Sequence, residues 1–142
     1  NFNYERYMMG AQMLGMSQRC FDECVSYAKE RKTFGKSLIE HQVIRHKLAD
    51  MSAKIDAMDA YLNQVAQLMN DGEKPVAEIS KIKFYCSECL ESIASEAMQI
   101  LGGAGYLRGN PVERIYREVK VMSIGGGSKE IMRDLTIKQM GL

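Results

Sequence analysis

From Ile44 to Met69 the apolar residues recur at alternating steps of four and three without a miss: Ile44, Leu48, Met51, Ile55, Met58, Leu62, Val65, Met69. A helix turns once every 3.6 residues, so this spacing keeps all eight on one side, whereas a strand would scatter them over both faces. The run therefore predicts a helix of about seven turns with one apolar seam. Asp50, Lys54, Asp59 and Asn63 fall off the seam, as a solvated face requires. Asp71-Gly72 ends it, with Gly72 suited to a left-handed cap. So long a one-sided seam must be covered by other helices.

The rest of the chain supplies them. Residues 4–30 read as a first helix, with Leu14, Phe21, Val25 and Ala28 as its stripe and Met9, Ala11 and Cys24 beside it. Arg31-Lys32-Thr33-Phe34-Gly35 interrupts the pattern and predicts a loop. Pro75 suits the first position of a third helix, which buries Ile79, Ile82, Cys86, Leu90, Ile93, Ala97 and Leu101 and closes at Gly102-Gly103. Pro111 opens a short turn or helix through Tyr116. Gly125–Gly127 breaks the chain, and Ser128 caps a last helix holding Ile131, Met132, Leu135 and Ile137. No strand alternation stands out. The expected fold is all-α: an antiparallel helical bundle of four main helices in one domain, residues 1–142.

Composition narrows the function classes. Nineteen basic against 18 acidic residues leave a net charge of +1, which calls for neither nucleic acid nor an anionic membrane. No apolar stretch approaches the roughly 18–20 residues of a membrane span, and no signal peptide is visible. The chain begins at Asn1, as a piece of a longer protein would. Four cysteines come as the pairs Cys20/Cys24 and Cys86/Cys89, each within a helical pattern. Buried, reduced core thiols are expected rather than a disulfide framework; a four-thiolate zinc site is the sharper alternative, and no metal is expected.

Each loop has a plain reading beside a chemical one. Arg31 ends a helix, where a cation suits the dipole, but a guanidinium there also grips phosphate oxygens in a bidentate way. Gly102-Gly103 stops a helix and equally allows a ligand close to bare backbone beside Gln99. Gly-Gly-Gly-Ser at 125–128 reads as a flexible linker or, with a helix directly after it, as a ligand-facing turn with free N–H groups. Glu5 is a helix-start acid.

Four strings, in order, resemble the C-terminal domain of acyl-CoA dehydrogenases: Tyr27–Gly35; His41-Gln42 leading to Leu48–Met51; Gln99–Tyr106 followed by Pro111–Arg114 and Tyr116-Arg117; and Ile124–Ile131. The resemblance covers nearly the whole chain and implies a three-domain flavoenzyme of which this is one part. It implies FAD as cofactor, contacted by Arg31, Thr33, Phe34, Gln42, Gln99, Ile100, Leu101, Gly102, Gly103, Ser128, Lys129 and Glu130, with Arg31 reaching the pyrophosphate across a subunit interface. It implies an acyl-CoA substrate, a homo-oligomer (dimer or tetramer) and an electron-transferring flavoprotein as redox partner. The implied compartment is the cytoplasm in a bacterium or the mitochondrial matrix in a eukaryote.

One position departs from the common pattern. Most family members carry a catalytic glutamate where this chain has Gly126. A minority, including the isovaleryl and long-chain enzymes, supply it from a Glu-Arg pair at the start of the first helix, matching Glu5-Arg6 here. Glu5 is then the expected base, with Asn3, Arg6, Gly126 and Gly127 facing the substrate. The isolated chain is expected to be inactive and to bind FAD weakly. A non-catalytic self-association or partner-binding module with relic loops is the other reading of the same sequence.

Overall fold

The computed structural model describes residues 2–142. Six helices run in the order α1 (Phe2–Glu30), α2 (Gln42–Asn70), α3 (Val76–Leu101), α4 (Gly103–Tyr106), α5 (Pro111–Ile124) and α6 (Lys129–Gln139). The seam of α2 is borne out: Leu48, Met51, Ile55, Met58, Leu62 and Val65 are buried, and Ile44 and Met69 half-buried. Gly72 follows the helix at φ +84°.

Helix α3 is the axle of the bundle, packing against α1, α2, α5 and α6. All seven apolar residues expected on its buried face are buried, and so are Ser80, Lys83, Ser87 and Cys89 on its other sides. A helix surrounded on most sides buries even its polar positions, each of which then needs a partner. Ser80 and Ser87 donate to their own helix, to the carbonyls of Val76 (2.8 Å) and Phe84 (2.8 Å).

Helix α1 is rotated from its expected stripe. Its core side is Gly10, Met13, Ser17, Cys20, Cys24 and Ala28, while Leu14, Phe21 and Val25 are only half-buried. The reason is closeness of approach: a Cβ on Gly10 would lie 3.2 Å from Leu62 Cδ2. Small residues face the neighbours and bulky ones flank the seam. All four cysteines are free and lie in this core; burial pushes the thiols of Cys20, Cys24 and Cys86 up to about 12.

Two local expectations are corrected. Residues 31–37 are not a plain loop but a hairpin, strands β1 (Lys32–Thr33) and β2 (Lys36–Ser37) pairing Lys32 with Ser37 and Thr33 with Lys36. Two-residue strands are too short to show alternation; the turn at Phe34 (φ +52°) and Gly35 (φ +80°) carries the hairpin, since two left-handed residues match strand twist. Helix α5 does not stop near Tyr116. It runs on because Val112, Ile115, Val119 and Met122 bury one face, and Asn110 caps its start, accepting from the Val112 N–H at 2.8 Å. In α6, Ile131 and Ile137 are exposed, and Met132 and Thr136 make the contact with the core.

Candidate functional site

The expected site residues fall into two groups at opposite ends of α1. At its C-terminal end the Arg31 N–H closes the helix on Tyr27 O (2.8 Å) and its carbonyl accepts from Leu38 N–H (2.8 Å), which leaves the guanidinium exposed. Thr33 Oγ1 lies 3.2 Å from His41 Nε2, and the Phe34 ring meets the His41 ring edge-on. Phe34 is otherwise 96% exposed and left-handed, a conformation that costs a non-glycine residue about 1–2 kcal/mol. Gln42 is exposed, its amide 3.3 Å from His46 Nε2.

Gln99 stands exposed at this same end, because α3 returns alongside the start of α2, tied there by the Lys47–Glu96 ion pair. Gly102 turns the chain at φ +55° directly into α4. Ile100 and Leu101 were expected to touch cofactor, but their side chains are buried in the core. Only their backbone remains for such a contact.

At the other end, the first turns of α1 meet the loop between α5 and α6. Arg6 Nε donates to Gly126 O (2.8 Å), and Arg6 Nη1 to Asn3 Oδ1 (3.4 Å). Glu5, exposed, is the neighbouring residue on α1. The loop is left-handed at Gly126 (φ +71°) and Gly127 (φ +121°). It also lacks room for side chains: a Cβ on Gly126 would sit 2.8 Å from Met9 Sδ, and one on Gly127 2.5 Å from Met132 Cε. The Ser128 hydroxyl then caps α6, accepting from the Ile131 N–H at 3.4 Å. Glu130 is exposed in the first turn; a backbone N–H and the Ser128 hydroxyl hold its carboxyl below the usual range. The Lys129 ammonium is not free, because it donates to Glu91 Oε2 at 2.8 Å. Burial raises the Glu91 carboxyl, but bonds from Lys120 and Lys129 outweigh this and hold it at about 2.

Two members of this end went unforeseen. Met9 fills the space beside Gly126. Lys83, fully buried on α3, donates to Gly127 O at 2.6 Å. Burial, and then the neighbouring Arg6 guanidinium, push its ammonium below the usual lysine range. The available signal was a lysine on the α3 stripe, four residues after Ile79 and three before Cys86. Among the described residues, no group of three or more His, Cys, Asp or Glu is placed to hold a metal ion.

Long helices with an exposed hairpin at one end and a clamped glycine turn at the other define the chain as a helical-bundle domain. The comparisons with known proteins say of which kind. The chain belongs to the acyl-CoA dehydrogenase family: the model of the family's C-terminal domain matches residues 1–141. It is 36% identical over 94% of its length to cyclohexane-1-carbonyl-CoA dehydrogenase of Geobacter metallireducens, covering 35% of that protein. It is 38% identical over 90% of its length to a caffeyl-CoA reductase–Etf complex subunit of Acetobacterium woodii, covering 34% of it. It superposes on butyryl-CoA dehydrogenase of Megasphaera elsdenii with a TM-score of 0.95, at 30% identity over 99% of this chain and 37% of that one. The chain thus spans about a third of the length of these relatives. No described helix is long and apolar enough to cross a membrane.

Proposed function

We propose that this chain is the C-terminal, FAD- and acyl-CoA-contacting domain of a three-domain dehydrogenase that introduces a double bond between Cα and Cβ of an acyl-CoA thioester. The observation that carries the reading is the bond from Arg6 to Gly126 O across 120 residues of chain. It seats the Glu5-Arg6 turn against the loop that lacks the usual carboxylate, and Met9 occupies the space a side chain at 126 would need.

Glu5 takes the α-proton onto a carboxylate oxygen. Arg6 holds the loop, and the loop backbone faces the thioester. FAD, when bound, supplies the acceptor for the β-hydride. The residues at the hairpin end suit its dinucleotide half. Arg31 has no ion-pair partner among the described residues and can meet pyrophosphate oxygens; Gln99 with bare Gly102-Gly103 offers an amide and close backbone; Thr33, Phe34 and Gln42 line the approach.

Glu5 lies in the first turn of α1 and Arg31 follows its last residue, 26 positions on, roughly 40 Å along a helix. That exceeds the reach of one flavin dinucleotide. The two ends of a single chain therefore serve different flavins, which supports a homo-oligomer in which Arg31 completes a neighbour's site. Electron-transferring flavoprotein is the proposed oxidant of the reduced enzyme, in the cytoplasm of a bacterium or the mitochondrial matrix of a eukaryote. Alone, the domain binds FAD weakly and does not turn over.

The test is Glu5→Gln in the full-length enzyme, read as flavin bleaching with a panel of acyl-CoA thioesters. Loss of the base slows bleaching on the order of 10²- to 10⁴-fold. Unchanged bleaching moves the base elsewhere.

A further inference from the structure

Lys83 poses a question that the proposed chemistry leaves open. It is completely buried in the middle of a helix, and its one hydrogen bond is to Gly127 O at 2.6 Å. No carboxylate pairs with it among the described residues, and the charge that bears on it is another cation, Arg6. A buried charge without a counter-ion is a poor way to stabilise a core, where a thioether or a leucine of similar volume serves better. What Lys83 does instead is local. With Arg6 it fixes two consecutive carbonyls, Gly126 O at 2.8 Å and Gly127 O at 2.6 Å, from the core side of the loop.

The consequence follows from peptide geometry. In a trans peptide the C=O and N–H point in opposite directions. Drawing the carbonyls of Gly126 and Gly127 onto cations turns the N–H groups of Gly127 and Ser128 away from them. Neither N–H has a hydrogen-bond partner among the described residues. A charge-assisted bond at the carbonyl also polarises its own peptide unit, which makes that N–H a stronger donor. Two glycines at positive φ allow this arrangement, and a side chain at either would be strained and would displace Met9 or Met132.

We propose that Lys83 is a positioning residue: with Arg6 it locks the Gly126–Ser128 peptide planes, so that two backbone donors face whatever oxygen the reacting ligand presents to this loop. The inference rests on the reading that this loop meets the ligand, but not on Glu5 being the base. Lys83 itself touches no ligand. Its role is to make the loop rigid and correctly aimed before binding.

The experiment is Lys83→Met in the full-length enzyme, with Lys83→Gln as a neutral donor. Four quantities are read: kcat against KM, flavin-to-protein ratio, Tm, and hydrogen exchange of the segment 125–131. Lys83→Met is expected to lower kcat on the order of 10- to 100-fold with KM little changed, the scale of a misplaced but present site. Flavin content and Tm stay at wild-type values, exchange over 125–131 accelerates, and Lys83→Gln falls in between. If Lys83→Met fails to fold, Lys83→Gln carries the same comparison. Unchanged kcat with unchanged exchange overturns the proposal. So does a loss of activity that merely follows lost flavin and lowered Tm. Set beside Glu5→Gln, the outcomes separate. Full turnover in Glu5→Gln with loss in Lys83→Met removes the base and keeps the latch. The reverse removes the latch alone. If the wild type bleaches with no acyl-CoA, the exchange measurement still decides.

Discussion

At the hairpin end of α1 the side chains of Arg31, Phe34 and Gln99 stand in solvent, whereas at the other end Arg6 and Lys83 are drawn onto the carbonyls of Gly126 and Gly127. Both ends carry positions proposed above to meet ligands. The difference lies in what finishes them. The glycine turn is held by its own chain, from α1, α3 and α6 together. The hairpin holds its backbone in shape and sets Thr33 and Phe34 against His41, but leaves the Arg31 guanidinium in solvent. Phe34 there is 96% exposed and left-handed, a strained and solvated position. One end is locked by its own chain, and the other leaves its side chains in solvent.

The contrast is sharpest for two glycines with positive φ. Gly127→Ala adds a methyl 2.5 Å from Met132 Cε at φ +121°, so it should cost about 2–4 kcal/mol in a urea melt. Gly35→Ala meets open space and carries only the left-handed penalty, about 1 kcal/mol. Equal costs at the two positions would mean that the clamp at Gly127 is loose. Acid should also act on one end first. Glu91 ties the end of α5 and the start of α6 to α3, flanking the glycine turn, with its carboxyl at about 2 against an ordinary 4.5. Because the folded value is depressed, the stabilisation is present above pH 4.5 and is lost as pH falls towards 2. After solvent screening it amounts to about 1–2 kcal/mol. Urea midpoints measured from pH 6 down to 2.5 should converge for wild type and Glu91→Gln. The smallest effect is expected at the hairpin: Arg31→Ala or Phe34→Ala should leave stability within about 0.5 kcal/mol while lowering flavin retention in the full-length enzyme. A large loss of stability in the isolated domain would show that the hairpin is part of the core instead.

How legible was all this in the residues? The seam of α2 and the apolar face of α3 were read correctly residue by residue, because a helix repeats within four residues and its pattern is local. The stripe of α1 was misjudged for the opposite reason. Its core side combines Gly10, Met13, Ser17 and Cys20 with the expected Cys24 and Ala28, and small residues score as weakly apolar although they permit the closest packing. The hairpin was missed because its signal sits in two turn residues and not in its strands. The family strings pointed to Arg31, Gln99 and the Gly125–Ser128 turn, but not to the side chain of Ile100 joining Leu101 in the core or to the pairing of Lys129 with Glu91.

By itself the sequence determined where helices run and stop, that they must bury one another's seams, and which turns carry glycine where a side chain would be strained. These follow from periods and backbone limits that act over a few residues. Only the tertiary structure decided that residues 6, 83 and 126–127 form one latch. Such contacts join segments separated by 44 and 120 positions. No local spacing encodes them, because they arise from how the helices pack around α3.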